Sequence, residues 1–281
     1  MSFTLAMLQM KVEAGNRDAN LTRARTLMKE SATNDARVIL LPEVMDLGWT
    51  DPSAATDATS VPDGATCRYL QDCAQEFNVY ICAGMAELDG DTVYNTAVLI
   101  DPGGNILLKH RKLNELDIAH DLYAQGDRLQ VCHTELGTIG IMICADGFAR
   151  DLVLSRSLGY MGADIILSPS SWAVKADHDN ETTPYGQLWE RSYSPVAKDF
   201  SMWIAGVSNV GWIPAGPWKG MQCIGCSMAA APDGSIAVKG SYGVDAETII
   251  YIPIETIPRP TRGCGWDALW KSTETTETTE T

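Results

Sequence analysis

A mixed α/β fold is the architecture that this 281-residue sequence predicts. Two observations carry it. Apolar runs of strand length alternate with stretches whose apolar residues recur at helical spacing, and tight-turn signals join some of the strands directly. A purely parallel sheet needs a crossover between every pair of strands, so hairpins within the alternation point to mixed sheets. The composition, 45% apolar and 20% charged, is ordinarily globular and sufficient for a sizeable core.

In chain order, residues 4–10 and Arg37-Val38-Ile39-Leu40-Leu41-Pro42 read as buried strands, with Leu21, Ala24, Leu27 and Met28 at helical spacing between them. Cys67, Leu70, Cys73, Ala74 and Phe77 mark a second helix, on which the cysteines are core residues. Strands follow at Val79 to Ala86 and Thr92 to Ile100. Asp101-Pro102-Gly103-Gly104 is a turn signal, so residues 105–110 are expected to pair antiparallel with the strand before it. Beyond a strand at 138–143, helices are expected near 149–161 and 185–199. Further strands are expected at 164–167, 202–207, 224–230 and 247–253. No long linker precedes Glu255, which favours one domain over residues 1–271. The end, from Ser272 to Thr281, is a Thr/Glu repeat with no apolar residue and is expected to be a disordered tail.

Charge and composition narrow the function. Lys and Arg number 21 against 36 Asp and Glu, and the net charge of −15 disfavours nucleic acid and anionic membrane as partners. The segment Met1 to Gln9 has no basic n-region and reads as a first strand rather than a signal peptide. No apolar stretch approaches the roughly 18 residues of a membrane span. A cytoplasmic location is the expectation. The eight cysteines are then expected to be free thiols. Cys223 and Cys226 form the sharpest pair, but no second CxxC accompanies them and the four histidines are scattered. On a strand, positions three apart face opposite ways, which argues against a shared metal.

Three reactive side chains fall at strand ends or just past them: Glu43 in LLPEVMDLGW, Lys112 in LLKHRKLNELD and Cys144 in IMICADGF. Singly, each has an ordinary structural reading, as a helix-start carboxylate, a loop charge and a core thiol. Together they supply a general acid/base, a cation for an oxyanion and a nucleophile, which is the equipment of acyl transfer.

These motifs, in this order, resemble those of the nitrilase, or carbon–nitrogen hydrolase, superfamily along nearly all of residues 3–255. Leu41-Pro42-Glu43, His110-Arg111-Lys112 and Gly140-Ile141-Met142-Ile143-Cys144-Ala145-Asp146 match the family's glutamate, lysine and cysteine motifs. The segments from Gly162 to Pro169, Ser208 to Gly211 and Ile224 to Ser227 resemble its later markers. The resemblance implies a four-layer α-β-β-α sandwich with mixed sheets, assembled as a homodimer or higher homo-oligomer, and a reaction that needs no cofactor and no metal. It implies that Cys144 attacks a C–N substrate to form a thioester, with its thiolate favoured by Lys112. Glu43 then serves as base and acid in turn, and Lys112 with the backbone N–H of Ala145 holds the oxyanion.

One position departs from the family. A second glutamate usually precedes a glycine like Gly126, yet residues 118–125 contain none. Glu115, Asp117 and Asp121 are the carboxylates within reach and His120 a neutral alternative; Glu115 and His120 are the preferred candidates. Cys144-Ala145-Asp146 resembles the pattern of amide hydrolases rather than nitrilases. Gly147 and Phe148 stand where carbamoyl-amino-acid hydrolases tend to carry arginines. A small amide or carbamoyl compound is therefore the expected substrate, and a neutral amide is favoured. Trp172 is either a pocket wall or a core or interface residue. Nitrile hydrolysis and acyl transfer to an amine remain as rivals with the same machinery. A non-catalytic binding scaffold and a cysteine-rich metal or redox protein remain as rivals of other classes.

Overall fold

The computed structural model describes residues 1–257. Its first half runs β1 (Ser2–Gln9), α1 (Arg17–Thr33), β2 (Ala36–Leu40), α2 (Ala54–Asp57), α3 (Ala65–Phe77), β3 (Tyr80–Asp89), β4 (Thr92–Ile100) and β5 (Ile106–Arg111). Next come β6 (Val131–Thr134), β7 (Gly137–Ile141), α4 (Val153–Tyr160), β8 (Ile165–Ser170), β9 (Ala173–Val174), α5 (Gln187–Phe200) and β10 (Trp203–Ser208). Five short or edge strands complete it: β11 (Val210–Trp212), β12 (Gln222–Ile224), β13 (Met228–Ala230), β14 (Ile236–Lys239) and β15 (Thr248–Glu255). The Thr/Glu segment expected to be a tail lies outside the described residues.

Two six-stranded sheets result, in the orders β15-β1-β2-β3-β4-β5 and β14-β13-β10-β8-β7-β6. Each has a parallel centre, β1-β2-β3 or β10-β8-β7, flanked by antiparallel strands. The mixed sheets expected from the hairpin signals are present, and β5 pairs antiparallel with β4 from Thr96↔Arg111 onward.

Side-chain alternation builds the layers. Leu5, Met7, Val38, Leu40, Cys82, Ala97 and Leu99 enter one core cluster together with Ile139, Ile141, Ile165 and Leu167 of the second sheet. Their sequence neighbours Ala6, Leu8, Ile39, Ile81, Val98 and Ile100 enter another, with Ala24 and Met28 of α1 and Leu70 and Ala74 of α3. One face of the first sheet therefore meets the second sheet and the other meets helices. On the second sheet Gly140 lies against Leu158 of α4, where a Cβ would come within 3.2 Å of that side chain. The layers are helix, sheet, sheet, helix, the nitrilase-type sandwich that the motifs implied.

Two expected elements need correction. Residues 224–230 form two strands, because Gly225 and Cys226 adopt φ of +66° and +57° and break the ladder. A side chain at Gly225 would collide with Gln9, with 2.3 Å to its amide carbon. The helix expected from residue 149 begins at Val153, because Asp151 and Leu152 have φ of +58° and +55°. Edge strands β6 and β14, like the short β9 and β11, carry too little apolar periodicity to read from sequence. No helix among the described residues is long and apolar enough to cross a membrane.

Candidate active site

The three reactive side chains converge just past the C-terminal ends of β2, β5 and β7, on the side where α/β sheets open toward ligands. Glu43 lies three residues past β2, Lys112 follows β5 directly, and Cys144 begins a 3₁₀ turn, Cys144–Phe148, three residues past β7. A backbone bond from Glu43 N to Ser170 O, 3.2 Å long, ties the glutamate loop to the end of β8 and so to the second sheet. Two positions carry backbone strain: Cys144 itself and Val44 each have φ of +43°, and for a β-branched valine this is a costly conformation.

Lys112 is 1% exposed and donates to Glu43 Oε1 at 2.7 Å and to Glu115 Oε1 at 2.8 Å. Asn95, inside β4, bridges the carboxylates by donating through Nδ2 to Glu43 Oε1 (2.7 Å) and Glu115 Oε2 (2.9 Å). An ammonium has three N–H donors, so these two contacts leave one uncommitted. The Trp49 ring lies 5.2 Å from Nζ and adds a favourable quadrupole. Glu43 Oε2 is buried with no hydrogen-bond partner among the described residues.

Of the candidates for the missing second carboxylate, the structure brings only Glu115 to the lysine. His120 instead sets its Nε2 3.1 Å from the Glu115 carbonyl oxygen, and Asp117 and Asp121 are exposed. Gly126, the marker glycine, packs onto the lysine segment: a Cβ there would meet Arg111 O at 2.2 Å, and its N–H donates to Lys112 O at 2.9 Å. That close approach requires glycine.

Electrostatics separate the roles. Burial pushes the Glu43 carboxyl above its ordinary pKa, and the neighbouring Glu115 charge adds to the rise against the opposing pull of Lys112. Burial works against the lysine's charge, but Glu43 and Glu115 more than offset it, so Lys112 is held above its ordinary value and stays an ammonium. Burial and the Glu43 charge push the Cys144 thiol well above its ordinary value; Lys112 and a backbone hydrogen bond from Ser171 oppose this without reversing it. Lys112 itself pulls toward the thiolate, but with a smaller effect than burial and Glu43. With two carboxylates facing one ammonium, the site already carries an excess negative charge, and a thiolate would add another.

Asp146 was read from sequence only as part of a motif, and its role proves to be a brace. Its Oδ2 lies 2.8 Å from His110 Nε2 and accepts Ile143 N at 2.8 Å, while Oδ1 accepts Leu113 N at 3.0 Å and Asn114 N at 2.8 Å. Burial opposes its charge, but His110 and these N–H groups hold its carboxyl below the usual range. Asn114 Nδ2 also donates to Ala145 O at 2.6 Å. The cysteine turn and the lysine segment are thus locked together around Ala145. Gly84 locks the glutamate in the same way, since a Cβ would lie 2.7 Å from Glu43 Cα. Asn95 was missed although a signal existed: an amide in the middle of an apolar strand is unusual.

Trp172 is buried and stacks on Trp189 with ring centroids 4.4 Å apart and planes at 24°, in the same core cluster as Cys144. Cys223 lies in β12 with Sγ 3.5 Å from Ser171 Oγ, while Cys226 lies beyond the strand break. Among the described residues no group of three or more His, Cys, Asp or Glu is placed to hold a metal.

Comparison with known proteins agrees with this layout. The carbon–nitrogen hydrolase family model matches residues 4–257. A nitrilase of Pyrococcus abyssi is 30% identical over 236 residues, covering 83% of this chain and 82% of the relative. An omega-amidase of Mus musculus is 28% identical over 265 residues, covering 90% of this chain and 89% of the relative. Among solved structures, a carbon–nitrogen hydrolase of Helicobacter pylori superposes with a TM-score of 0.79 at 21% identity, covering 90% of this chain and 88% of that one. A mutant amidase of a Nesterenkonia species, with acrylamide joined by Michael addition to its active-site cysteine, superposes with a TM-score of 0.76 at 16% identity, covering 96% and 99%. By sequence match along almost its whole described length and by fold, the chain belongs to the carbon–nitrogen hydrolase family of the nitrilase superfamily.

Proposed function

We propose that this protein hydrolyses the C–N bond of a small amide through a thioester on Cys144, releasing ammonia or an amine. The observation that carries this reading is a buried ammonium, Lys112, gripped by Glu43 and Glu115 beside a cysteine held in a strained turn. Such an arrangement costs desolvation and backbone strain, and chemistry at that point gives it a use.

Each step follows from the side chains present. As Cys144 Sγ attacks the amide carbon, its proton passes to Glu43, whose Oε2 is uncommitted and whose raised pKa suits a group that both takes and returns a proton. Because the resting nucleophile is a thiol, this transfer accompanies attack rather than preceding it. The carbonyl oxygen becomes an oxyanion, stabilised by the third Lys112 N–H and the Ala145 backbone N–H. Glu43 protonates the nitrogen, the C–N bond breaks, and ammonia or an amine leaves a thioester. Glu43 then takes a proton from water as it attacks the thioester carbon. Collapse releases the acid, and the proton returns to sulfur. Glu115 and Asn95 keep Lys112 charged and aimed throughout.

The Nesterenkonia amidase, whose cysteine takes acrylamide, and the omega-amidase of Mus musculus support an amide over other C–N bonds. The residues after Cys144 support an uncharged acyl group: Gly147 and Phe148 offer no cation to a substrate carboxylate, and Phe148 packs on Trp189 at 4.0 Å. The test is ammonia release across small neutral amides, carbamoyl compounds, ω-amido acids and nitriles, with hydroxylamine added to detect acyl transfer. Fastest release from an amide, dependent on Cys144, is the expected result. Release from nitriles alone, or acyl hydroxamate formed with no acid product, would replace this reading by one of its rivals.

A further inference from the structure

The turn that carries Glu43 holds a second carboxylate that the proposed chemistry does not use. Asp46, three residues on, is fully buried, yet the hydrogen bonds its side chain accepts come from neutral groups. Its Oδ1 accepts Leu47 N at 3.1 Å within the turn and Ala86 N at 3.2 Å from β3. Its Oδ2 accepts the Thr66 hydroxyl at 3.0 Å from the first turn of α3. Its backbone oxygen accepts Asn20 Nδ2 of α1 at 2.9 Å. One residue thus ties the turn to the first sheet and to both helices packed on it. Burial raises the Asp46 carboxyl above its ordinary pKa, while Ala86 N, Thr66 and the Arg17 charge oppose the rise. An apolar side chain would fill such a place without that desolvation, so the value of Asp46 lies in where its bonds hold the chain.

What they hold is strain beside Glu43. Val44 has φ of +43°, a conformation that persists only where the surroundings over-determine it. Backbone bonds fix the entry of the turn: Glu43 N to Ser170 O at 3.2 Å, Gly84 N to Pro42 O at 3.1 Å and Met45 N to Gly84 O at 2.9 Å. Asp46 fixes its exit. With the exit released, relaxation of Val44 toward negative φ moves the Glu43 segment against β3, and the 2.7 Å contact between Lys112 Nζ and Glu43 Oε1 no longer holds.

We propose that Asp46 is a positioning residue for the reaction: by anchoring the turn to β3 and α3 it keeps Val44 strained and Glu43 within bonding distance of Lys112. This rests on the amide-hydrolase reading above and adds to it a residue that touches neither the substrate nor the reacting atoms. Glu43 does its work in the transition state, so its misplacement lowers kcat and leaves KM in place.

The experiment measures kcat and KM on the best amide for Asp46→Ala, Asp46→Asn and Thr66→Val, at a temperature well below each thermal midpoint. Asp46→Ala should lose about 100-fold in kcat, the size of an ångström-scale misplacement, with little change in KM. Asp46→Asn keeps an oxygen for both N–H groups and gains an amide that donates to the Thr66 hydroxyl, so its kcat should return to within about threefold of wild type. Thr66→Val removes one anchor without altering the glutamate turn and should lose about 2- to 10-fold in kcat, the usual worth of one hydrogen bond. Because Asp46 acts through Glu43, Asp46→Ala should cost little more in a Glu43→Gln background, whereas a general loosening of the fold would cost the same in both. Wild-type kcat in Asp46→Ala, equal losses with and without Glu43→Gln, or a loss in Asp46→Asn as large as in Asp46→Ala would overturn the inference and leave amide hydrolysis standing. Where Asp46→Ala does not fold, an unchanged kcat in Thr66→Val overturns it. Absence of turnover by the wild type with every amide would instead remove the hydrolase reading, and this role with it.

Discussion

Replacing Glu115 by glutamine (E115Q) removes one of the two negative charges that hold Lys112, while keeping a side-chain oxygen of the same reach. The contact distance of 2.8 Å sets the scale. At an effective dielectric constant of about 20, two unit charges that close interact by about 6 kcal/mol. Glutamine retains a neutral hydrogen bond and Glu43 keeps its own contact, so the deficit reaching the transition state is that of one charge-assisted bond, about 1.5–3 kcal/mol. In kcat/KM this is a loss of about 10- to 150-fold. The pH profile supplies a second readout. The Glu115 charge raises the pKa of both Lys112 and Glu43. Without it the Glu43 pKa falls, so the acid limb of the kcat/KM profile should move to lower pH. The assay is initial ammonia release from the best amide across the pH range in which both proteins stay folded. Turnover within about threefold of wild type with an unmoved profile would refute the reasoning. So would a loss found in His120→Ala instead of E115Q.

The raised Cys144 pKa predicts slow alkylation by iodoacetamide near neutral pH, accelerating as the solution becomes alkaline; rapid labelling at pH 7 would mean a resting thiolate. Gly84→Ala should cost about 1–3 kcal/mol of stability through overpacking and lower kcat as well, because the new Cβ drives into the Glu43 backbone; an unchanged melting midpoint and kcat would contradict that contact. Asp146→Ala should cost about 3–5 kcal/mol in denaturant unfolding, since it strands His110 and three N–H groups in the interior. The folded Asp146 pKa lies below its ordinary 3.8, so its contribution is present above that value and is lost as pH falls through the folded one. The gap between wild type and Asp146→Ala should therefore narrow at strongly acid pH; a gap that is constant with pH would place the cost outside the carboxylate's charge.

The core elements were legible because they obey a local rule. β4 spans Thr92–Ile100, as its apolar run and the following Asp-Pro-Gly-Gly turn imply, and α3 carries Cys67, Leu70, Cys73 and Ala74 inward at helical spacing. The failures lie where long-range contact overrides a local pattern. The segment 224–230 looks continuous in sequence, but the Gln9 side chain, more than two hundred residues away, occupies the space beside Gly225 and goes with a left-handed turn. At the site the same division holds. Glu43, Lys112 and Cys144 announce themselves by motif. Asn95 holds Glu43 across 52 positions and Asp146 holds Asn114 across 32, pairings that no local spacing encodes. The choice among Glu115, His120 and the two aspartates is likewise a matter of where the loop after β5 folds back.

The most direct test of the central claim is to trap the covalent intermediate. The protein is mixed with its best amide, quenched in acid within the first turnover, digested and mapped by mass spectrometry, while ammonia is measured in the same samples. The mechanism predicts an acyl adduct on the peptide containing Cys144, formed with one equivalent of ammonia per adduct and absent from Cys144→Ala. Ammonia release that persists in Cys144→Ala, or an adduct on another residue, would contradict it.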